Sequence, residues 1–271
     1  MLHLYTFCVD IGRVSPPMLE LALEWLVKSL DKHNRFTLHV FTNMECSLEH
    51  PNVVYEEYFD DSQEDQFGDN WLNLSWNKIN IWKHLYESTG ECFTWIDLDT
   101  IVTANIEYIN DYDHLFLENG GGCEEPNLLF DNNTEITVPR NRYIQGNLWK
   151  LNPELCESLL STFADLEKLG LKLRYEFQDL VNYYLHIKEM PLWILGFNVE
   201  AHTINGLGIW HPTDRVHVRY EGLEKLWWDE EILRSEYYPD KEIHLVTLTF
   251  GSLMQHVMGT SLFDDFVEDC L

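Results

Sequence analysis

The chain has 271 residues, of which 45% are hydrophobic and 14% aromatic, so it is not a disordered protein and can bury a large core. Its 46 acidic and 18 basic side chains give a formal net charge of −28, which repels nucleic acid and anionic membrane surfaces. Its apolar runs are shorter than the ~18 residues of a membrane span, so we expect neither nucleic-acid binding nor membrane insertion. The six Cys contain no CxxC pair, which favours reduced thiols in a cytoplasmic protein over a zinc cluster.

Strand and helix patterns alternate over the first hundred residues. We predict strands at 2–9, 36–42 and 52–58 and helices at 18–30 and 75–86, with Ser75 as the N-cap of the second helix and a loop at 59–70. This alternation is typical of an α/β fold with a mostly parallel sheet, in which ligands lie beyond the carboxyl ends of the strands. Asp10 follows the first strand and therefore lies at such an end.

The segment FTWIDLDTIV, residues 93–102, is an apolar run interrupted by Asp97 and Asp99. If the strand continues through both residues, the two carboxylates point to the same face, because side chains alternate along a strand. Two like charges at the exit of a buried run repel each other, and a divalent cation removes that cost. Hard oxygen ligands favour magnesium, manganese or calcium. The simpler explanation is that Asp97 and Asp99 begin a solvated turn.

The second half of the chain has a less regular pattern. After a glycine-rich loop at 119–122 we predict strands at 143–151, 191–197 and 242–250 and helices at 152–169 and 176–186. No internal repeat or low-complexity linker divides the sequence. We therefore expect a single domain over residues 1–271.

Several blocks resemble, in the right order, the GT-A glycosyltransferases, particularly the glycogenin and bacterial galactosyltransferase group. NKINIWKHLY (77–86) followed by FTWIDLDTIV resembles that group's helix and "DxD" strand, and YIQGNLWKLNPEL (143–155) resembles the strand that lines its sugar pocket. FQDLVN (177–182) is similar to its DQxxxN segment, and PLWILGFN (191–198) has its LPLxxxN-like spacing. The resemblance covers the chain loosely to about residue 200.

The resemblance implies a GT-A-like fold, Rossmann-like, with a nucleotide-binding half at 1–118 and a sugar- and acceptor-binding half at 119–271. It implies a glycosyltransferase that uses Mn²⁺ or Mg²⁺ and a nucleotide-sugar donor, a UDP-sugar, with a glycan or another acceptor. It also implies retention of the anomeric configuration. A bound metal would stabilise the leaving diphosphate as its charge develops.

The resemblance also implies roles for individual residues. Asp99 is the direct metal ligand, and Asp97 reaches the ribose or the metal. Lys78 contacts donor hydroxyls or phosphate, although a solvated helix lysine is the simpler explanation. The remaining donor residues are those at the end of the first strand, where the base would stack, and those lining the sugar pocket: Thr6, Cys8, Asp10, Gln145, Gly146 and Asn147.

The segment after the sugar-pocket strand carries the predicted catalytic residues. Gln178 faces the anomeric carbon and Asp179 the sugar or the acceptor, if FQDLVN aligns with the family's segment. The simpler explanation of Asp179 is a carboxylate that the helix dipole favours near a helix N-terminus. Phe177 stands where the family has an Asp, and the pocket strand has Gln-Gly-Asn in place of Asn-small-Gly. These departures leave the donor sugar open.

The third metal ligand has two candidates. His217 is followed by a GxxKxW pattern that resembles the family's HxxGxxKPW, with two extra residues after the His and Leu for Pro. We prefer His217, because Lys225 of the same pattern would neutralise diphosphate charge. The alternative is His244, in the apolar run EIHLVTLTFG. Four Trp in the last third would offer an acceptor platform or form core: Trp193, Trp210, Trp227 and Trp228.

Two other functions fit parts of the sequence. A haloacid-dehalogenase-type phosphatase also carries DxD after an apolar strand, but on its first strand, and it needs a later acidic pair, for which Asp264 and Asp265 are available. A non-catalytic member of the transferase fold would bind a nucleotide-sugar or glycan without turnover. The altered FQ and QGN segments leave room for that function.

Overall fold

A computed structural model of the chain describes residues 1–12, 14–58, 70–91, 93–102, 104–112, 114–118, 127–129, 135–137, 144–169, 176–188, 194–195, 200–204, 208–210, 217–219 and 245–248. The helices are α1 Pro16–His33, α2 Asn70–Thr89, α3 Pro153–Lys168 and α4 Glu176–Lys188, with a 3₁₀ turn at Glu107–Asp111. The strands are β1 Leu2–Cys8, β2 Phe36–Thr42, β3 Val53–Glu57, β4 Phe93–Ile96, β5 Thr100–Val102, β6 Leu115–Glu118, β7 Asn127–Leu129, β8 Glu135–Thr137, β9 Ile144–Leu151, β10 Ile194–Leu195, β11 Glu200–Ile204, β12 Gly208–Trp210, β13 His217–Arg219 and β14 Leu245–Leu248.

The main sheet has seven strands in the order β10-β6-β9-β4-β1-β2-β3. Strands β1, β2, β3 and β4 pair in parallel, as do β6 and β10, whereas β9 runs antiparallel to both β4 and β6. A second sheet has the order β13-β12-β11-β14-β5, and β7 pairs with β8. The predicted α/β fold with a mostly parallel sheet and flanking helices is confirmed.

The main sheet is buried on both faces at β1. Alternate residues of this strand point to opposite sides of the sheet, and both sides are covered. Leu2 and Leu4 belong to an apolar cluster with α1, whereas Phe7 belongs to a second cluster with residues of α2, α3 and α4. Parallel strands covered on both faces are typical of α/β folds. Because helices cover both faces, the exposed parts of these strands are their ends.

Helix α1 is fixed at both ends. Pro16 and Pro17 occupy its first positions, where a missing N–H costs little. At the other end the Asn34 N–H donates to the Leu30 carbonyl at 2.7 Å, and the Asn34 side chain accepts from the N–H of Ile106 at 2.7 Å. Asn34 thereby joins the end of α1 to the segment that follows β5.

Two predicted elements differ from the structure. Helix α2 begins at Asn70, so Ser75 lies inside the helix and is not its N-cap. Apart from residue 70, the predicted loop lies outside the described residues. The predicted single strand at 93–102 is two strands in different sheets, with a turn at Leu98 and Asp99 between them. The strand is interrupted there because Thr100–Val102 pairs with Leu245–Leu248 in the second sheet, a partner that the local pattern does not show. Leu98 itself lies in the same cluster as Ile96, as alternation along a strand predicts.

A pair of Leu→Ala substitutions tests the core assignment. Leu23 is fully buried on α1, and Leu169, after α3, is 71% exposed. We expect Leu23→Ala to lower the free energy of unfolding by about 2–5 kcal/mol, since it removes buried methylenes and leaves a cavity. Leu169→Ala should change it by less than about 0.5 kcal/mol. Urea denaturation measures both, and equal losses would contradict this core.

A second prediction concerns the acid sensitivity of the fold. The backbone N–H and guanidinium of Arg35 bind the Glu107 carboxylate and lower its pKa to about 2 from an ordinary value of 4.5. A lowered folded-state pKa gives stability that is complete above the unfolded pKa and is lost as the pH falls toward 2. Glu107→Gln should therefore reduce the melting temperature at pH 7 and reduce it progressively less from pH 5 to pH 2. A pH-independent difference would contradict this role.

Candidate functional site

Polar residues follow the carboxyl ends of β1, β2 and β4. Asp10 comes shortly after β1 and Asn43 directly after β2. The Asp10 N–H donates to the Asn43 Oδ1 at 2.8 Å, and the Asn43 amide donates to the Asp10 carbonyl at 2.9 Å. The Gly12 N–H donates to the Asp10 Oδ1 at 2.8 Å, in a turn that Gly12 permits with φ +76°. The loop after β1 is therefore anchored to the end of β2.

Asp97, the first residue after β4, forms an ion pair with Lys78 of α2. The Lys78 Nζ lies 2.9 Å from the Asp97 Oδ1, and the same oxygen accepts from the indole N–H of Trp95 at 2.6 Å. The Lys78 side chain is 14% exposed and that of Asp97 28%. A pair shielded from water to this degree interacts more strongly than a surface pair.

The position of Lys78 on α2 is set by the packing of Trp82, which lies one helical turn later. Trp82 packs edge-on against Trp149 of β9, with centroids 4.3 Å apart. Trp149 in turn stacks on Trp95 of β4 at 5.6 Å, with an angle of 5° between the rings. Because residues four apart share one face of a helix, the contact made by Trp82 also fixes Lys78. The Lys78 Nζ lies 5.2 Å from the centroid of the Trp95 ring.

Asp99 lies in the turn that joins the two sheets. Leu98 is 6% exposed and packs in the α1 cluster, so it holds the turn between the two carboxylates. Thr100 follows at the start of β5 and is 1% exposed, and its hydroxyl has no hydrogen-bond partner among the described residues. Asp97 and Asp99 are half-buried. The structure thus brings Asp97, Asp99 and Lys78 to the carboxyl end of β4.

The sugar-pocket segment predicted from the sequence begins β9. Leu148 pairs with Ile96, the last residue of β4, so Gln145, Gly146 and Asn147 precede the pairing, on the side where Asp97 follows β4. The register between β6 and β9 shifts between Phe116 and Leu117. Such irregularities are frequent beside functional sites. The segment therefore lies at the same end of the strands as Asp97, which is the carboxyl end of β4.

The predicted catalytic residues lie on the first turn of α4. Asp179 is fully buried, so in this structure it presents no surface to a sugar. Gln178 is half-buried, and its carbonyl accepts from the side-chain amide of Asn182 at 2.8 Å. Helix α4 packs against α2 and β9, so it lies beside the elements that carry Lys78 and the sugar-pocket segment. The catalytic roles of Gln178 and Asp179 stay predictions.

Two predicted nucleotide contacts are buried instead. Thr6 and Cys8 are both 0% exposed, and Cys8 belongs to the α1 cluster. Burial raises the pKa of the Cys8 thiol well above its usual range, and the neighbouring Cys46 adds to the shift. Neither side chain reaches a surface where a nucleotide could touch it, because even-numbered residues of β1 point towards α1. Of the residues predicted at this strand end, Asp10 is accessible.

The strand order separates His217 from the two aspartates. His217 is in β13 and Thr100 in β5, at opposite edges of the five-stranded sheet. The strand order therefore gives no support to a shared site, and the assignment of His217 as a metal ligand stays a prediction. No group of three or more His, Cys, Asp or Glu side chains that could hold a metal is found within the described part of the chain.

Other predicted site residues lie outside the described residues, namely His244, Lys225, Trp193, Trp227 and Trp228, and Trp210 is in β12. The residue after His244 is the first of β14, Leu245, which pairs with Val102. The Asp99 end of β5 instead lies beside Thr247, which pairs with Thr100. The sequence analysis missed Trp95 and Asn43; the signal for Trp95 was its position two residues before Asp97.

No helix in the described residues is long and apolar enough to cross a membrane. No family model and no curated protein matches the sequence. Among solved structures, the chain is similar to the apo structure of the bifunctional glycosyltransferase WbbM, with a TM-score of 0.57 and 12% identity over 99% of this chain. The match covers 51% of the WbbM chain, so this chain spans about half of its length. The chain therefore shares its Rossmann-like, mostly parallel α/β fold with this glycosyltransferase.

Proposed function

We propose that this chain is a metal-dependent glycosyltransferase that moves a sugar from a nucleotide-sugar donor, a UDP-sugar, to a glycan or another acceptor. The observation that carries the proposal is the group formed by Asp97, Asp99 and Lys78 at the carboxyl end of β4, in a glycosyltransferase fold. In open α/β sheets this edge is where ligands bind. The Lys78 ammonium can bind the phosphate of such a ligand, and the two carboxylates can bind the metal ion that accompanies the phosphate.

The chemistry of the donor set fits Mg²⁺ or Mn²⁺. Asp97 and Asp99 supply hard oxygens, and Mg²⁺ is commonly held by one or two carboxylates together with substrate phosphates. Such an ion would act as a Lewis acid that stabilises the leaving diphosphate. In this proposal Asp99 is the direct ligand, and the Asp97 oxygen that does not bind Lys78 contacts the ribose or the ion.

The remaining roles follow from charge and position. Lys78 forms an ion pair with Asp97, so in this proposal it neutralises part of the carboxylate charge and meets the donor's phosphate or hydroxyl groups. The Gln145–Asn147 segment lines the sugar side of the pocket, and Gln178 faces the anomeric carbon. Retention of configuration is the expected outcome on the same resemblance.

The position of DLD disfavours a phosphatase of the haloacid-dehalogenase type. That class carries its nucleophile on the first strand, whereas DLD here follows β4. Incubation with a phosphate ester and a search for a trapped aspartyl-phosphate on Asp97 distinguishes the two classes. We expect none.

The donor site is tested by calorimetric titration. We expect one of UDP, GDP and CDP to bind in the presence of Mn²⁺, UDP first, and to bind at least about tenfold more weakly without the metal or after Asp99→Ala. Asp165→Ala is the control, because it removes an exposed carboxylate from α3 without touching this edge.

Each outcome of that titration decides the proposal. Binding of no nucleotide by the wild-type protein would overturn it. Binding unaffected by Asp99→Ala would exclude the DLD turn as the metal site. Metal-dependent binding without hydrolysis or transfer of any nucleotide-sugar would instead support a non-catalytic homologue.

A second titration tests Lys78. Lys78→Met removes the charge but keeps most of the buried stem, and we expect it to weaken UDP binding about tenfold while changing uridine binding little, because the charge-assisted contact is with phosphate. Lys83→Met, at an exposed position of the same helix, is the matched control. Equal losses for uridine and UDP would show that Lys78 does not contact the phosphates.

A further inference from the structure

Trp95 contacts both members of the Lys78–Asp97 ion pair. Its indole N–H donates to the Asp97 Oδ1 at 2.6 Å, and its ring lies 5.2 Å from the Lys78 Nζ. Trp95 is fully buried on β4, whereas the Asp97 side chain keeps 28% of its surface exposed. A ligand at the strand end can therefore reach Asp97 but not Trp95.

The two donors bind the same oxygen of Asp97. A carboxylate that accepts a charge-assisted bond from Lys78 and a short indole bond at one oxygen has a single preferred side-chain orientation. Its other oxygen, Oδ2, then carries the capacity to accept a further bond at the exposed side. Trp95 thus decides which oxygen of Asp97 is presented at the edge.

Trp95 is itself held rigidly. Its ring stacks on Trp149 at 5.6 Å and packs edge-on against Phe7 of β1 at 4.7 Å. Both neighbours are buried, so the indole cannot rotate away from Asp97 without disrupting the core. A donor fixed before the ligand arrives costs no ordering when the ligand binds.

The residue type matters at this position. Phe would fill the same stack but lacks a donor, and the Tyr hydroxyl projects from the far end of its ring. The Trp indole carries its N–H on the side of the ring, where it can reach an acceptor two residues along the strand. Packing alone therefore does not account for a Trp here.

We propose that Trp95 is a positioning residue of the donor site: its indole N–H holds Asp97 Oδ1 so that Oδ2 is preorganised for the nucleotide-sugar or its metal. This role rests on the proposed glycosyltransferase function. In this role Trp95 contributes to the affinity for the donor without touching the donor.

The test compares Trp95→Phe with Trp25→Phe. Both remove a buried indole, but Trp25 belongs to the α1 cluster on the other face of the sheet, so Trp25→Phe leaves the Trp95 N–H on Asp97. We expect the UDP dissociation constant in Mn²⁺, measured by calorimetry, to rise about tenfold for Trp95→Phe and less than about twofold for Trp25→Phe. Melting temperatures of both variants show how much of any loss is packing.

A double-mutant cycle separates positioning from general loosening. If Trp95 acts through Asp97, Trp95→Phe has no further effect on UDP affinity in an Asp97→Ala background. Additive losses would overturn the proposal, as would equal losses for Trp95→Phe and Trp25→Phe. Wild-type protein that binds no nucleotide would overturn the proposed function and this role together.

A ligand-free measurement tests the contact itself. In ¹⁵N-labelled protein the indole N–H signal of Trp95, identified by its absence in Trp95→Phe, should be shifted downfield and protected from hydrogen exchange. Asp97→Ala should abolish both properties, and Asp99→Ala should leave them unchanged. A Trp95 signal that does not respond to Asp97→Ala would overturn the proposal whatever the nucleotide titration shows.

Discussion

Packing of Trp82 against Trp149 is the contact on which the candidate site depends, because it joins α2 to the main sheet at the strand that neighbours β4. Lys78 lies one helical turn before Trp82, and Trp95 stacks on Trp149. Three buried indoles therefore set the distance between a lysine on a helix and an aspartate at a strand end. Aromatic rings suit this task, since they bury a large area with few rotatable bonds.

The charge of the chain explains why the pair needs such support. With 46 acidic and 18 basic side chains, the protein as a whole carries a net charge of −28, which repels a diphosphate. Lys78 supplies one cation, and the ring of Trp95 and the Asp97 carboxylate keep it in place with 14% of its side chain exposed. Because Lys78 is shielded from water, its charge is screened less, and its attraction to an anionic ligand is stronger.

Much of the nucleotide-side architecture could be predicted from local patterns. The strand at Phe36–Thr42 was predicted with its observed limits, and β1 and β3 within a residue. The patterns failed where distant partners decide. The continuous strand through Asp97 was wrong because Thr100–Val102 pairs with Leu245–Leu248, more than a hundred residues later in the sequence. Strands of three to five residues, such as those of the second sheet, carry too few residues to show a period.

The sequence by itself determined the α/β class, the mostly parallel sheet, and Asp97 and Asp99 as carboxylates at the end of a buried run, because each depends on periodicity or on charge at the end of an apolar run. Lys78 was proposed only through the resemblance to a family. Tertiary structure alone decided that Lys78 pairs with Asp97, that Trp95 donates to the same oxygen, and that Asp179, Thr6 and Cys8 are buried. Those facts depend on which helix covers which face of the sheet. Only the packing of side chains that are distant in sequence settles that choice, and no local pattern records it.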